Sequence, residues 1–198
     1  MRMEILHKTD AFVICQKPVG LDSETECPMK LREMLGGEIF TLHRLDKNVG
    51  GVMVYARTKA AAATLSRCIQ EGSMVKEYVA WVHGTVEKAG VMEDLLFKDS
   101  RSNKVFVVKK RRAGVKEAKL SYQLLKTEND LSLVRIRLFT GRSHQIRVQF
   151  ASRKHPLLGD HKYGARDEHP APLLFSFRIT FPWQGETLSF SALPEWAK

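Results

Sequence analysis

The stretch Leu131-Ser132-Leu133-Val134-Arg135-Ile136-Arg137-Leu138-Phe139 runs directly into Thr140-Gly141-Arg142-Ser143-His144-Gln145-Ile146-Arg147, and its two halves obey different periods. In the first half Val134, Ile136 and Leu138 alternate with Arg135 and Arg137. That is the two-residue period of a strand with one face in a core. Thr140-Gly141-Arg142 then turns the chain, and Ser143 is the expected N-cap of a helix reaching about Ser152, on which Ile146 and Phe150 share a face. Arg142, His144, Gln145 and Arg147 crowd the entry of this helix, whose unpaired N–H groups attract anions. The same heads also suit a helix that shows a polar side to water.

Upstream, residues 75–83 read as a strand that places Lys76, Tyr78, Ala80 and Val82 on one face. Residues 105–108 and 118–125 are further strand candidates. Nearer the start, Ala11 to Cys15 forms a short apolar strand before the Lys17-Pro18-Val19-Gly20 turn. Thr41 to Leu45 leads to a break at Gly50-Gly51, and Val52 to Ala56 is again strand-like. Residues 59–71 are Ala-rich with Leu65 and Ile69 four apart, so they read as a helix, with Gly72 at the left-handed C-terminal cap. Downstream, 173–180 and 187–191 form an expected hairpin across Pro182-Trp183-Gln184-Gly185. Many strands and few helices, without regular alternation, imply an α+β fold with a mixed, mostly antiparallel sheet. No repeat or linker divides residues 1–198, so one domain is expected, or two intimately packed halves.

The chain carries a formal charge of +10, and its distribution is regional. Residues 98–159 sum to +12, which leaves −2 for everything else. Lys109-Lys110-Arg111-Arg112 is the densest part of this band. Concentrated positive charge is the footprint of a polyanion, because each phosphate contact releases counterions. Cys15, Cys27 and Cys68 are widely spaced and read as reduced packing residues. No run approaches the ~20 apolar residues of a membrane span, and the first residues lack an apolar leader, so a soluble cytoplasmic protein is expected. No two of His155, His161 and His169 stand at a helical ligand spacing, and no metal is expected.

His43-Arg44-Leu45-Asp46 sets ionisable groups around one leucine just before the glycine pair, a setting that can hold a carboxylate at a cleft edge. A carboxylate that merely caps a turn would look the same. Taken with Gly51, Lys76-Glu77-Tyr78, the residues 141–147 and Pro156-Leu157-Leu158-Gly159-Asp160-His161-Lys162-Tyr163-Gly164, the pattern resembles the RluA-type pseudouridine synthases. Lys17-Pro18-Val19-Gly20-Leu21 is similar to that family's early Lys-Pro-x-Gly turn, so the resemblance covers about residues 10–195.

The resemblance implies a pseudouridine synthase fold in two halves with a central basic cleft holding Asp46, in a compact member without an N-terminal RNA-binding domain. It implies that Asp46 is the catalytic aspartate, Tyr78 the active-site tyrosine, Arg147 the ion-pair partner of Asp46, and Ile146 an apolar wall. Arg44 would help fill the space of a flipped uridine. His43, Lys76, Arg142, His144, Gln145 and the quartet 109–112 are expected to contact structured RNA, ribosomal or transfer. No cofactor or protein partner is implied, and a monomer is expected. Three departures stand out: Val49-Gly50-Gly51 replaces Thr-Ser-Gly, Gln149 stands where His is common, and Phe175-Ser176 replaces His-Ala.

Overall fold

The computed structural model describes residues 3–198. The chain folds into two compact units, one formed by residues up to Glu77 together with Phe175–Lys198, the other by Tyr78–Leu174.

The first unit contains β1 (Glu4–Lys8), β2 (Phe12–Lys17), α1 (Glu26–Leu35), β3 (Phe40–Thr41), β4 (Gly50–Ala56), α2 (Lys59–Gln70) and the start of β5 (Val75–His83). Near the C-terminus it gains β10 (Leu174–Trp183) and β11 (Glu186–Ser191). Its strands run in the order β1-β2-β4-β10, with β11 on β10 and β3 on β4. Every pair here is antiparallel except β4 with β10. Phe12, Ile14, Val52, Val54, Ile179 and Phe181 form its core with Ala61 and Leu65 of α2. The Thr58 hydroxyl caps α2 by accepting from the Ala61 amide, and Gly72 adopts the expected positive φ of 74° just beyond it.

The glycine pair that the sequence presents as a break instead opens β4. Gly51 has φ 134° and lies in parallel register with Ser176. A Cβ there would sit 2.4 Å from the Ser176 carbonyl oxygen, so the absence of a side chain is what lets β10 approach. The hairpin between β10 and β11 turns at Gln184-Gly185, both at positive φ, and not across four residues. Two successive positive φ values make a turn whose twist matches the strands it joins.

The second unit holds the rest of β5, then β6 (Ala89–Asp99), β7 (Lys104–Val108), β8 (Val115–Glu128), β9 (Leu131–Leu138) and α3 (Gln145–Ser152). The order is β5-β9-β8-β6-β7. β8 and β9 join through Asn129-Asp130, both at positive φ. β6 escapes a pattern reading because Glu93-Asp94 and Lys98-Asp99 interrupt its apolar run. Pairing with β7 on one side and β8 on the other secures it. Leu96, Val105 and Ala118 pack against Val148 of α3. The three cysteines are buried and free. No described helix is long and apolar enough to cross a membrane.

Candidate active site

In the first unit the loop that bears Asp46 is built around a buried ammonium. Lys17 is wholly buried at the end of β2, and its Nζ donates to the carbonyls of Pro18 at 3.0 Å, Leu21 at 2.7 Å and Lys47 at 3.2 Å. Burial pushes its pKa down, while Cys27 and the carboxyl groups of Asp22 and Asp46 pull it back up. Three carbonyls around one cation fasten the 18–21 turn to the 46–49 loop. Backbone bonds add to this, from Gly20 N to Lys47 O at 2.8 Å and from Val49 N to Asp46 O at 2.9 Å. Ser23 grips Leu45 from both directions, its hydroxyl donating to the carbonyl at 2.9 Å and accepting from the amide at 3.1 Å. Asp46 is half-buried on this clamped loop.

The neighbours of Asp46 differ in character. Arg44 is exposed and pairs at 2.9 Å with Glu24, itself exposed, an arrangement worth little energy and readily exchanged for another anion. His43 Nε2 accepts from the Val54 amide at 3.3 Å, and its buried Nδ1 has no partner among the described residues. Desolvation, and then the Lys76 ammonium, push the His43 pKa down to about 3. His43 is therefore neutral near pH 7, and any contact it makes with RNA is not that of a cation. The pKa of Lys76 is itself lowered by burial.

In the second unit Tyr78 is buried near the start of β5, and Ile146 and Arg147 are buried on α3. Asp160, 1% exposed, accepts from Arg147 Nε and Nη2 at 2.7 Å each, a bidentate pair sealed from water. The Tyr163 ring lies against the same guanidinium, 5.2 Å from its carbon. The Tyr163 hydroxyl takes the Val105 amide at 2.9 Å and meets His144 Nδ1 at 2.8 Å. One short segment thus holds Arg147 in its plane and across its face, and ties His144 to β7.

The entry of α3 differs from expectation. His144, not Ser143, occupies the N-cap position, in a left-handed conformation with φ 49° and without a side-chain cap. Gln145 does the anchoring, its Oε1 accepting from Arg142 N and Thr140 Oγ1 while its Nε2 donates to Lys119 O. Its amide is thus spent inside the fold. Arg142 is exposed and donates from Nε to Glu117 O. Gln149 binds Asp94 and the Met92 carbonyl, a structural use of that departure. Lys109, Lys110, Arg111 and Arg112 are exposed between β7 and β8, with Arg111 paired to Glu117.

Behind Asp160 the chain is held by Asp167, which no motif singled out. Its carboxylate accepts from the Gly159 amide at 3.0 Å, His83 Nε2 at 2.7 Å and the His169 amide at 2.9 Å. Desolvation raises the pKa of Asp167, but the bonds from Gly159, His83 and His169 outweigh it and hold the group at about 2. A depressed carboxylate stabilises the fold above its unfolded value and loses that contribution as pH falls through the folded one. Asp167→Asn should therefore lower the Tm at pH 7 and make its decline between about pH 4 and pH 2 shallower than in the wild type. Equal slopes in the two proteins would remove Asp167 from this role.

A model of the RNA pseudouridylate synthase family matches residues 5–152. Ribosomal large subunit pseudouridine synthase D of Haemophilus influenzae is 36% identical over 129 residues, which is 65% of this chain but only 39% of that protein. The tRNA pseudouridine synthase C of Vibrio parahaemolyticus is 32% identical over 186 residues, 83% of this chain and 74% of its own. Human RNA Pseudouridylate Synthase Domain Containing 1 shares the fold, with a TM-score of 0.85 at 23% identity over 98% of this chain and 84% of that one. The mixed, mostly antiparallel fold and the RluA-type motifs agree with these likenesses, and the chain belongs to the RNA pseudouridylate synthase family.

Proposed function

We propose that this protein isomerises a uridine in structured RNA, ribosomal or transfer, to pseudouridine. The observation that carries the reading is the clamped loop of Asp46, in which Lys17, Ser23 and Gly20 fix a carboxylate beside an exposed, exchangeable Arg44. In the reaction the bond from ribose C1′ to N1 breaks, the base turns, and C1′ joins C5. The C5 proton leaves and N1 regains one, so the change is an isomerisation without net oxidation. Asp46 is the catalytic carboxylate, and Arg147, already set by Asp160, is its ion-pair partner. Tyr78 stacks on the base and takes the C5 proton, while Ile146 forms an apolar wall.

The uridine must leave its stack to be reached, at a cost of a few kcal/mol. Arg44 and the basic band offset that cost, within a basic cleft that receives the flipped base. The two units act as one catalytic domain, as a cytoplasmic monomer. Release of tritium from C5-labelled uridine in transcribed ribosomal or transfer RNA tests the reading, and no release from any such RNA would refute it. Tyr78→Phe keeps the ring but loses the hydroxyl, so RNA binding should hold while release slows about a hundredfold or more. Wild-type turnover in that variant would confine Tyr78 to stacking.

A further inference from the structure

The second unit's sheet has one face packed on α3 and another open to water, and the open face is unusual. Leu96, Val105, Ala118, Leu120 and Ile136 are buried and point to the helix side. By two-residue alternation the opposite side carries Phe97, Phe106 and Val115, which cross-strand pairing brings together. Lys119 lies farther along the same face of β8, with Phe139 beside it, the Phe139 amide bonding to the Lys119 carbonyl at 3.0 Å. Phe106 and Phe139, 43% and 47% exposed, are the exposed large aromatics among the described residues. Both belong to this face.

Each ring on it has a cation. The Arg112 guanidinium stands 4.4 Å from the Phe97 centroid, Lys104 Nζ 5.8 Å from Phe106, and Arg137 5.2 Å from Phe139. Four residues along β8 and two strand spacings separate the Phe97 pair from Phe139 by roughly 16 Å. Exposed aromatic rings, cations and sugar-phosphate chemistry fit one another, because every base has a face that stacks on an aromatic ring or a guanidinium while phosphates take the positive charge. A purely apolar partner would leave these cations desolvated without partners.

We propose that this face is a stacking platform for a single-stranded RNA segment continuous with the substrate. The proposal rests on the RNA reading above, and goes beyond it by assigning binding to Phe97, Phe106 and Phe139, none of which serves the chemistry. The probe is a fluorescein-labelled 12-mer of adenosine and cytidine, whose binding is followed by anisotropy. It contains no uridine, so its affinity is independent of isomerisation, which tritium release reads separately in the same preparation. The wild type and Asp46→Asn should bind it equally.

The triple change of Phe97, Phe106 and Phe139 to Leu should weaken binding at least about tenfold, whereas the triple change to Tyr should stay within about threefold. The salt dependence should keep its slope in the Leu variant, because the phosphate contacts remain. If the triple Leu variant fails to fold, Phe106→Leu with Phe139→Leu, the two more exposed positions, carries the same test. Absence of wild-type binding would overturn the proposal, as would a shallower salt slope in the Leu variant. So would Leu variants that bind like the wild type, an outcome that leaves the face to an apolar protein partner.

Discussion

Asp46→Asn should abolish uridine isomerisation, lowering tritium release by at least about a thousandfold, while the fold and the RNA affinity stay close to wild type. The amide has nearly the shape of the carboxylate but lacks its charge and its basic or nucleophilic oxygen. The loop should not move, because the bonds that fasten it to Lys17, Ser23 and Gly20 use the backbone of Leu45 and Lys47, and Asp46 itself adds its carbonyl to the Val49 amide. RNA affinity should remain within about threefold, or rise slightly as a negative charge beside phosphates is removed. Lys17→Met offers a contrast, since it leaves Asp46 charged but unties its loop, so stability and activity should fall together. Undiminished release by Asp46→Asn would mean that the carboxylate of this reaction lies elsewhere in the chain.

How far such a site can be read from sequence depends on what each residue touches. His43-Arg44-Leu45-Asp46 and the residues 141–147 stand out because ionisable heads gather at turns, where side chains reach solvent and substrate. Lys17 and Asp160 lie inside recognisable motifs, yet their work is invisible there. Lys17 serves carbonyls up to thirty residues away, and Asp160 serves an arginine thirteen residues before it. Only folding makes those distances short. α1 went unread because Pro28 stands in its first turn, where a missing amide costs nothing but where a pattern search expects a break. Gly50-Gly51 misled for the opposite reason. A glycine pair usually stops a strand, and here it admits the backbone of Ser176. Ser143 does not cap α3: His144 holds that position without a side-chain bond, and Gln145, turned inward, instead ties the preceding turn through the Arg142 amide and the Thr140 hydroxyl.

Breaking the Arg147–Asp160 pair from one side should cost far more than removing it whole. Both partners are buried, and their bidentate bond is what compensates for taking two charges out of water. Asp160→Leu removes the bidentate acceptor of a buried guanidinium, and Arg147→Met strands a buried carboxylate. Each should destabilise the protein by about 3–5 kcal/mol, a Tm fall of roughly 6–20 °C for a chain of this size. The double variant leaves neither charge, so its loss should fall below that of either single variant, which requires a coupling of more than about 3 kcal/mol. Additive losses would show that the pair is not a unit, and that Arg147 is held by its other neighbours. Activity should follow a different pattern: the double variant should fold yet release no tritium, because the cation proposed to pair with Asp46 is gone. A buried pair of this kind is no gift to stability, since well-packed apolar side chains would serve the core as well. Under the function proposed above, its value lies in fixing a guanidinium before any RNA arrives, so that no ordering cost falls on the reaction itself.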